Sequence, residues 1–182
     1  MFSVFELFKI GIGPSSSHTV GPMKAAAAFA DGLAATGAIG RVASVEVALL
    51  GSLAFTGKGH ATDKAVILGL SGQRPDSVEP DAAEALAAEV RATKRLKLAG
   101  RRSIAFDPAT AIIFDTVTPA PRHPNTLRLV ARDAPFASQF CSLALDILAQ
   151  RCHFTEKGAE VFQIACEFSS HGLQRSESST AL

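Results

Sequence analysis

The chain has almost no surplus of charge: 18 Lys and Arg stand against 17 Asp and Glu, a formal net charge of +1. General affinity for nucleic acid or an anionic membrane surface needs an excess of basic side chains, so neither partner is expected. Arg101 and Arg102 are too few to make a basic patch. Long apolar runs are missing as well. The longest, residues 23–39, is interrupted by Lys24, Asp31 and several glycines and falls short of a bilayer-spanning helix. Residues 1–9 carry Glu6 and Lys9 with no basic segment ahead of an apolar one, so no export signal is expected. Cysteine is scarce. Cys141, Cys152 and Cys166 lie 11 and 14 residues apart, which matches neither ferredoxin-type nor paired zinc spacing. They are assigned to packing, with no disulfide framework and no metal ligand expected in this chain. A soluble cytoplasmic protein is the resulting expectation.

What is present suffices for a folded domain. Of 182 residues, 47% are hydrophobic, enough for one core of ordinary size, or a domain with a tail. The alanine-rich segment 23–36 predicts a helix ending at Gly37. Residues 42–50 alternate, with Val45, Val47 and Leu49 on one face, and predict a strand. A short apolar helix is expected over 64–70 and an amphipathic one over 81–98, after Pro75 and Pro80. Strands are expected at 102–106, 110–118 and 126–132. The sum is an α/β or α+β fold, a mixed sheet with packed helices, ending near residue 133. Past Pro135, segments 140–149 and 156–168 read as helical, and the last residues as frayed. Residues 134–182 thus form an atypical helical tail.

Two loops concentrate chemistry. In GIGPSSSHTVGP (11–22), glycine and proline set the backbone while Ser15, Ser16, Ser17, His18 and Thr19 follow one another at a helix start. Hydroxyls and free backbone N–H groups there favour a carboxylate, and histidine carries a proton near neutral pH. The plainer alternative makes Ser16 or Ser17 a helix cap and His18 a surface residue. In the second loop, GKGHATD (57–63), Asp63 either orients His60 or caps the next helix, beside Lys58 and Thr62. If the two helices share a face, His18 and His60 meet over one pocket. His123, between prolines in PRHPNT, is read as a turn residue.

These stretches carry a family likeness. SVFELFKIGIGPSSSHTVGPMKAA (3–26) resembles the opening of iron–sulfur-dependent L-serine dehydratases, or L-serine ammonia-lyases. GSLAFTGKGHATDKAVILGLSG (51–72) resembles a second block of that family, and HPN followed by a strand at 123–129 fits it too. The likeness covers residues 1–133. It implies the β domain of such an enzyme, similar in fold to the allosteric substrate-binding domain of certain phosphoglycerate dehydrogenases. It also implies deamination of L-serine to pyruvate and ammonia without pyridoxal phosphate. The 4Fe-4S iron–sulfur cluster would sit in a partner α domain or α subunit and would not be liganded by this chain. By the same likeness Ser15, Ser16, Ser17, Thr19, Thr62 and Asp63 would contact L-serine, and His18 and His60 would be catalytic. One departure stands out: the strand and glycine-rich turn that close the family's β domain after Asp133 are not evident, while residues 154–173 faintly resemble the start of the α domain. The chain reads as a dehydratase component, with a non-catalytic serine-binding or regulatory module, or a truncated remnant, as alternatives. An exposed apolar interface would draw it to a partner or to a second copy of itself.

Overall fold

The computed structural model describes residues 12–120 and 123–132, and beyond them only the backbone of Asp133 and of two strands, Gln139–Asp146 and Cys166–Glu167. The first serine cluster forms one π-helical turn, Ser16–Val20, that runs straight into helix α1, Gly21–Ala35. Helix α1 therefore starts two residues before the expected position and stops just short of Gly37. Its buried side is mostly alanine, with Met23, Phe29 and Leu33 as the large residues. Strand β1, Val42–Gly51, follows, then the short helix α2, Ser52–Thr56, a 3-10 turn, Gly57–His60, and helix α3, Thr62–Leu70. The expected second loop is thus largely helical.

Helices α1 and α3 pack closely because both present small residues at the crossing. A Cβ on Gly69 would lie 2.2 Å from the Met23 carbonyl oxygen and 2.8 Å from the Ala26 Cβ. Any side chain there would push the helices apart, and both helices begin at the two histidine-bearing segments. Beneath them runs the sheet core: Val45, Val47 and Leu49 of β1, with Leu127 and Leu129 of strand β5, Asn125–Asp133. In the register Leu49 faces Leu127 and Val47 faces Leu129, which sets the apolar faces of both strands against the same helices.

Helix α4 is shorter than expected, Pro80–Thr93, because Lys94 takes the left-handed conformation (φ 54°) and ends it. The rest of the expected helix is strand β2, Arg95–Leu98, in a hairpin with β3, Arg102–Ala105. RLKL has period two, and Leu96 and Leu98 are both fully buried. The expected strand at 110–118 shrinks to β4, Ile112–Asp115, behind a single helical turn α5, Pro108–Ala111, capped by Asp107. Strand β4 pairs parallel with β1, and β1 pairs antiparallel with β5.

The larger correction lies past residue 133. Residues 139–146 are strand β6, not part of a helix over 140–149, and β6 pairs antiparallel with β5. A short apolar stretch such as FCSLALD has no decisive period, and the free edge of β5 offers it a full ladder of hydrogen bonds. A strand after Asp133, which the sequence does not make evident, is therefore present. Strand β7, Cys166–Glu167, adds to β6 where a helix over 156–168 was expected; the rest of that segment, His153 and His171 lie outside the described residues. The sheet order is β4-β1-β5-β6-β7, a mixed sheet with helices packed on it, and it runs on past residue 133.

Candidate functional site

Two chain segments meet at the His18 ring, and a third supports the second of them. In the first, the Ser15 Oγ accepts the His18 N–H at 3.2 Å and caps the π turn. Ser15, rather than Ser16 or Ser17, is therefore the capping serine, one turn ahead of α1, whose own N-cap Val20 has no side-chain cap bond. The Ser17 Oγ lies 2.9 Å from His18 Nδ1. The second segment returns at α2, where the Ser52 Oγ lies 3.0 Å from His18 Nε2. The third is the turn at His123 and Pro124: the Pro124 carbonyl accepts the Ser52 N–H at 2.6 Å and so seats the start of α2. His123 is the turn residue expected, its Nδ1 accepting the Asn125 N–H at 3.0 Å and its carbonyl accepting the Thr126 hydroxyl at 2.7 Å.

The rings of His18 and His60 do meet, with centroids 4.9 Å apart and planes tilted by 39°. Two buried threonines brace them reciprocally. Thr19 Oγ1 donates to the His60 carbonyl at 2.9 Å, and Thr62 Oγ1 donates to the His18 carbonyl at 2.6 Å. Both were expected among the substrate contacts, yet they are 3% and 0% exposed and engaged in holding the two turns together. Ser16 is exposed, and Ser15 and Ser17 are half-buried. Asp63 is not brought to the cluster: its carboxylate pairs with Arg91 of α4 at 3.0 Å, and it neither orients His60 nor caps α3. What orients His60 is the Thr56 carbonyl, 2.9 Å from Nδ1. A carbonyl only accepts, so Nδ1 carries the proton and neutral His60 keeps its lone pair on Nε2.

Burial lowers the pKa of His18, and the neighbouring His60 lowers it further, against a backbone hydrogen bond to Ser52 that raises it. A histidine whose folded pKa lies below its unfolded value binds fewer protons when folded, so stability rises with pH between the two values. The urea midpoint is expected to drop as pH falls through and below the ordinary histidine range. His18→Asn should flatten that part of the pH profile; an unchanged slope in the variant would assign the titration to another group. Among the described residues no three His, Cys, Asp or Glu side chains converge as metal ligands. The three cysteines' side chains lie outside the described residues. No helix among the described residues is long and apolar enough to cross a membrane.

Ser52 is the site residue that sequence reasoning missed. Its signal was a serine directly after the glycine that ends β1, the usual chemistry of a strand-to-helix corner.

A mixed α/β domain here holds two histidine rings 4.9 Å apart, braced by serine and threonine hydroxyls at helix starts, an arrangement chemically able to exchange protons. Sequence comparison identifies the lineage. Residues 3–143 match the serine dehydratase beta chain family, and the chain belongs to that family. It is 48% identical over 130 residues to L-serine dehydratase of Helicobacter pylori, covering 71% of this chain and 28% of that protein. It is 46% identical over 132 residues to L-serine dehydratase of Streptomyces coelicolor, covering 72% of this chain and 29% of that protein. L-serine dehydratase 1 of Escherichia coli is 37% identical over 174 residues, 93% of this chain and 38% of that protein. The chain thus spans less than two-fifths of the length of these relatives.

Proposed function

We propose that this chain is the β component of an L-serine ammonia-lyase and works with an iron–sulfur α domain or subunit. The observation that carries this reading is the His18–His60 pair beside the serine cluster. Of the two rings, His60 is the one with a free lone pair, because its Nδ1 is committed to the Thr56 carbonyl. His18 meets a hydroxyl at each nitrogen. His60 Nε2 is therefore the base that takes the α-proton of serine. A charged His18 would oppose this: two like charges 4.9 Å apart repel by about 3 kcal/mol at an effective dielectric constant near 20, less where water reaches. The lowered pKa of His18 favours its neutral form and so lessens that repulsion.

Ser15, Ser16 and Ser17 would receive the substrate carboxylate, with the exposed Ser16 nearest to solvent. Loss of the α-proton and of the β-hydroxyl as water leaves an enamine, which tautomerises to the imine and hydrolyses to pyruvate and ammonia. The 4Fe-4S cluster, held by the α domain, would act as a Lewis acid on the departing hydroxyl. The cytoplasmic location expected from the sequence belongs to the same reading.

The test is pyruvate formation from L-serine under anaerobic conditions, with and without a separately supplied α domain. Activity is expected only in the mixture. Serine binding by the chain, with no pyruvate in either arm, would instead make it a binding or regulatory module.

A further inference from the structure

Helix α2 is five residues long, and its two ends hold the two histidines. At its first residue the Ser52 hydroxyl reaches His18 Nε2 at 3.0 Å; at its last the Thr56 carbonyl reaches His60 Nδ1 at 2.9 Å. The Thr56 hydroxyl donates back to the Ser52 carbonyl at 2.8 Å, tying the two ends together. The two anchors lie four residues apart, about 6 Å along the helix, and the rings they hold have centroids 4.9 Å apart.

We propose that Ser52 is a positioning residue for the histidine pair, its hydroxyl pinning the His18 ring at one helical turn from the point where Thr56 holds His60. Its own place is set from outside the serine loop. The Ser52 N–H is given to the Pro124 carbonyl, so the hydroxyl is delivered to His18 by a segment that the first loop does not control. Ser17 grips the other nitrogen of His18. A ring held at one nitrogen alone can swing about that bond; held at both, it is fixed against His60. This deepens the dehydratase reading and rests on it for its catalytic meaning, but the geometry is open to test without catalysis.

The measurement is a titration of the histidine rings by NMR in the full 182-residue chain. In the parent, His18 is expected to titrate below the ordinary histidine value, and the protons of the two rings to show a through-space contact. Ser52→Ala removes the hydroxyl and keeps the main-chain bond to Pro124, so the corner stays in place. Burial is the chief cause of the low His18 pKa and His60 adds to it, while the backbone hydrogen bond to Ser52, which Ser52→Ala leaves in place, opposes both. A released ring is expected to move its titration up towards the ordinary value and to lose its contact with His60. Ser52→Thr, which keeps a hydroxyl, is expected to restore both. If Ser52→Ala leaves titration and ring contact as in the parent, Ser17 holds the ring unaided and the proposal fails. It fails equally if Ser52→Thr behaves like Ser52→Ala. Inactivity of the assembled enzyme would overturn the dehydratase reading without touching either ring measurement.

Discussion

His60→Gln in the assembled dehydratase is expected to lower kcat by about 10²–10⁴-fold while leaving KM for L-serine nearly unchanged, the range lost when a positioned base is removed. Glutamine is close to histidine in length, and its amide can still donate to the Thr56 carbonyl, so the 3-10 turn Gly57–His60 keeps its anchor. What it lacks is a basic lone pair at the position of Nε2. His18→Asn is expected to cost at least about tenfold in turnover by removing the ring that backs His60, a smaller loss because His18 meets hydroxyls at both nitrogens. The order of the two effects is the content of the prediction. A larger loss from His18→Asn than from His60→Gln would exchange their roles, and parent-like kinetics in both would move proton transfer off this pair.

Much of this arrangement can be read from the sequence, for reasons that differ by element. The alanine run of α1 and the alternation of β1 are signals of the local chain, and they give those elements to within two residues. The same logic fails at Lys94, where a favourable helix composition continues but two leucines at period two are claimed by the core under α4. It fails again at 139–146, where the deciding partner is the edge of β5, remote in sequence. At the site, the hydroxyl and histidine types were legible, but their partners were not. Thr19 and Thr62 look like ligand groups in a loop, yet each is needed by the opposite loop's carbonyl. Asp63 looks like a partner for His60, yet Arg91 lies 28 residues away in sequence and takes its carboxylate. Ser52 was passed over because nothing local marks a serine as reaching a histidine 34 residues earlier.

The backbone at Gly51 connects all of this, and its substitution should be felt furthest. Gly51 has φ 57° and ψ −132°, a conformation that a side chain makes costly, by about 1–3 kcal/mol. Space forbids a side chain as well: a Cβ would lie 2.2 Å from the Pro124 carbonyl oxygen and 3.2 Å from the Ala120 Cβ. That oxygen is the acceptor of the Ser52 N–H, so relieving the clash means drawing Pro124 away and breaking the bond, worth about 1 kcal/mol more. Gly51→Ala is therefore expected to destabilise the chain by about 3 kcal/mol or more, read as a lower urea midpoint at unchanged m-value. Because Ser52 follows directly, the variant should also release His18, raising its titration as Ser52→Ala does. Gly59→Ala is the matched control from the same stretch of chain, with nothing within 4 Å of its added Cβ, and should stay within about 0.5 kcal/mol of the parent. Equal stability of the two variants would mean that the Gly51 corner yields freely, and that the spacing of the histidines is set by the serine loop instead of by α2.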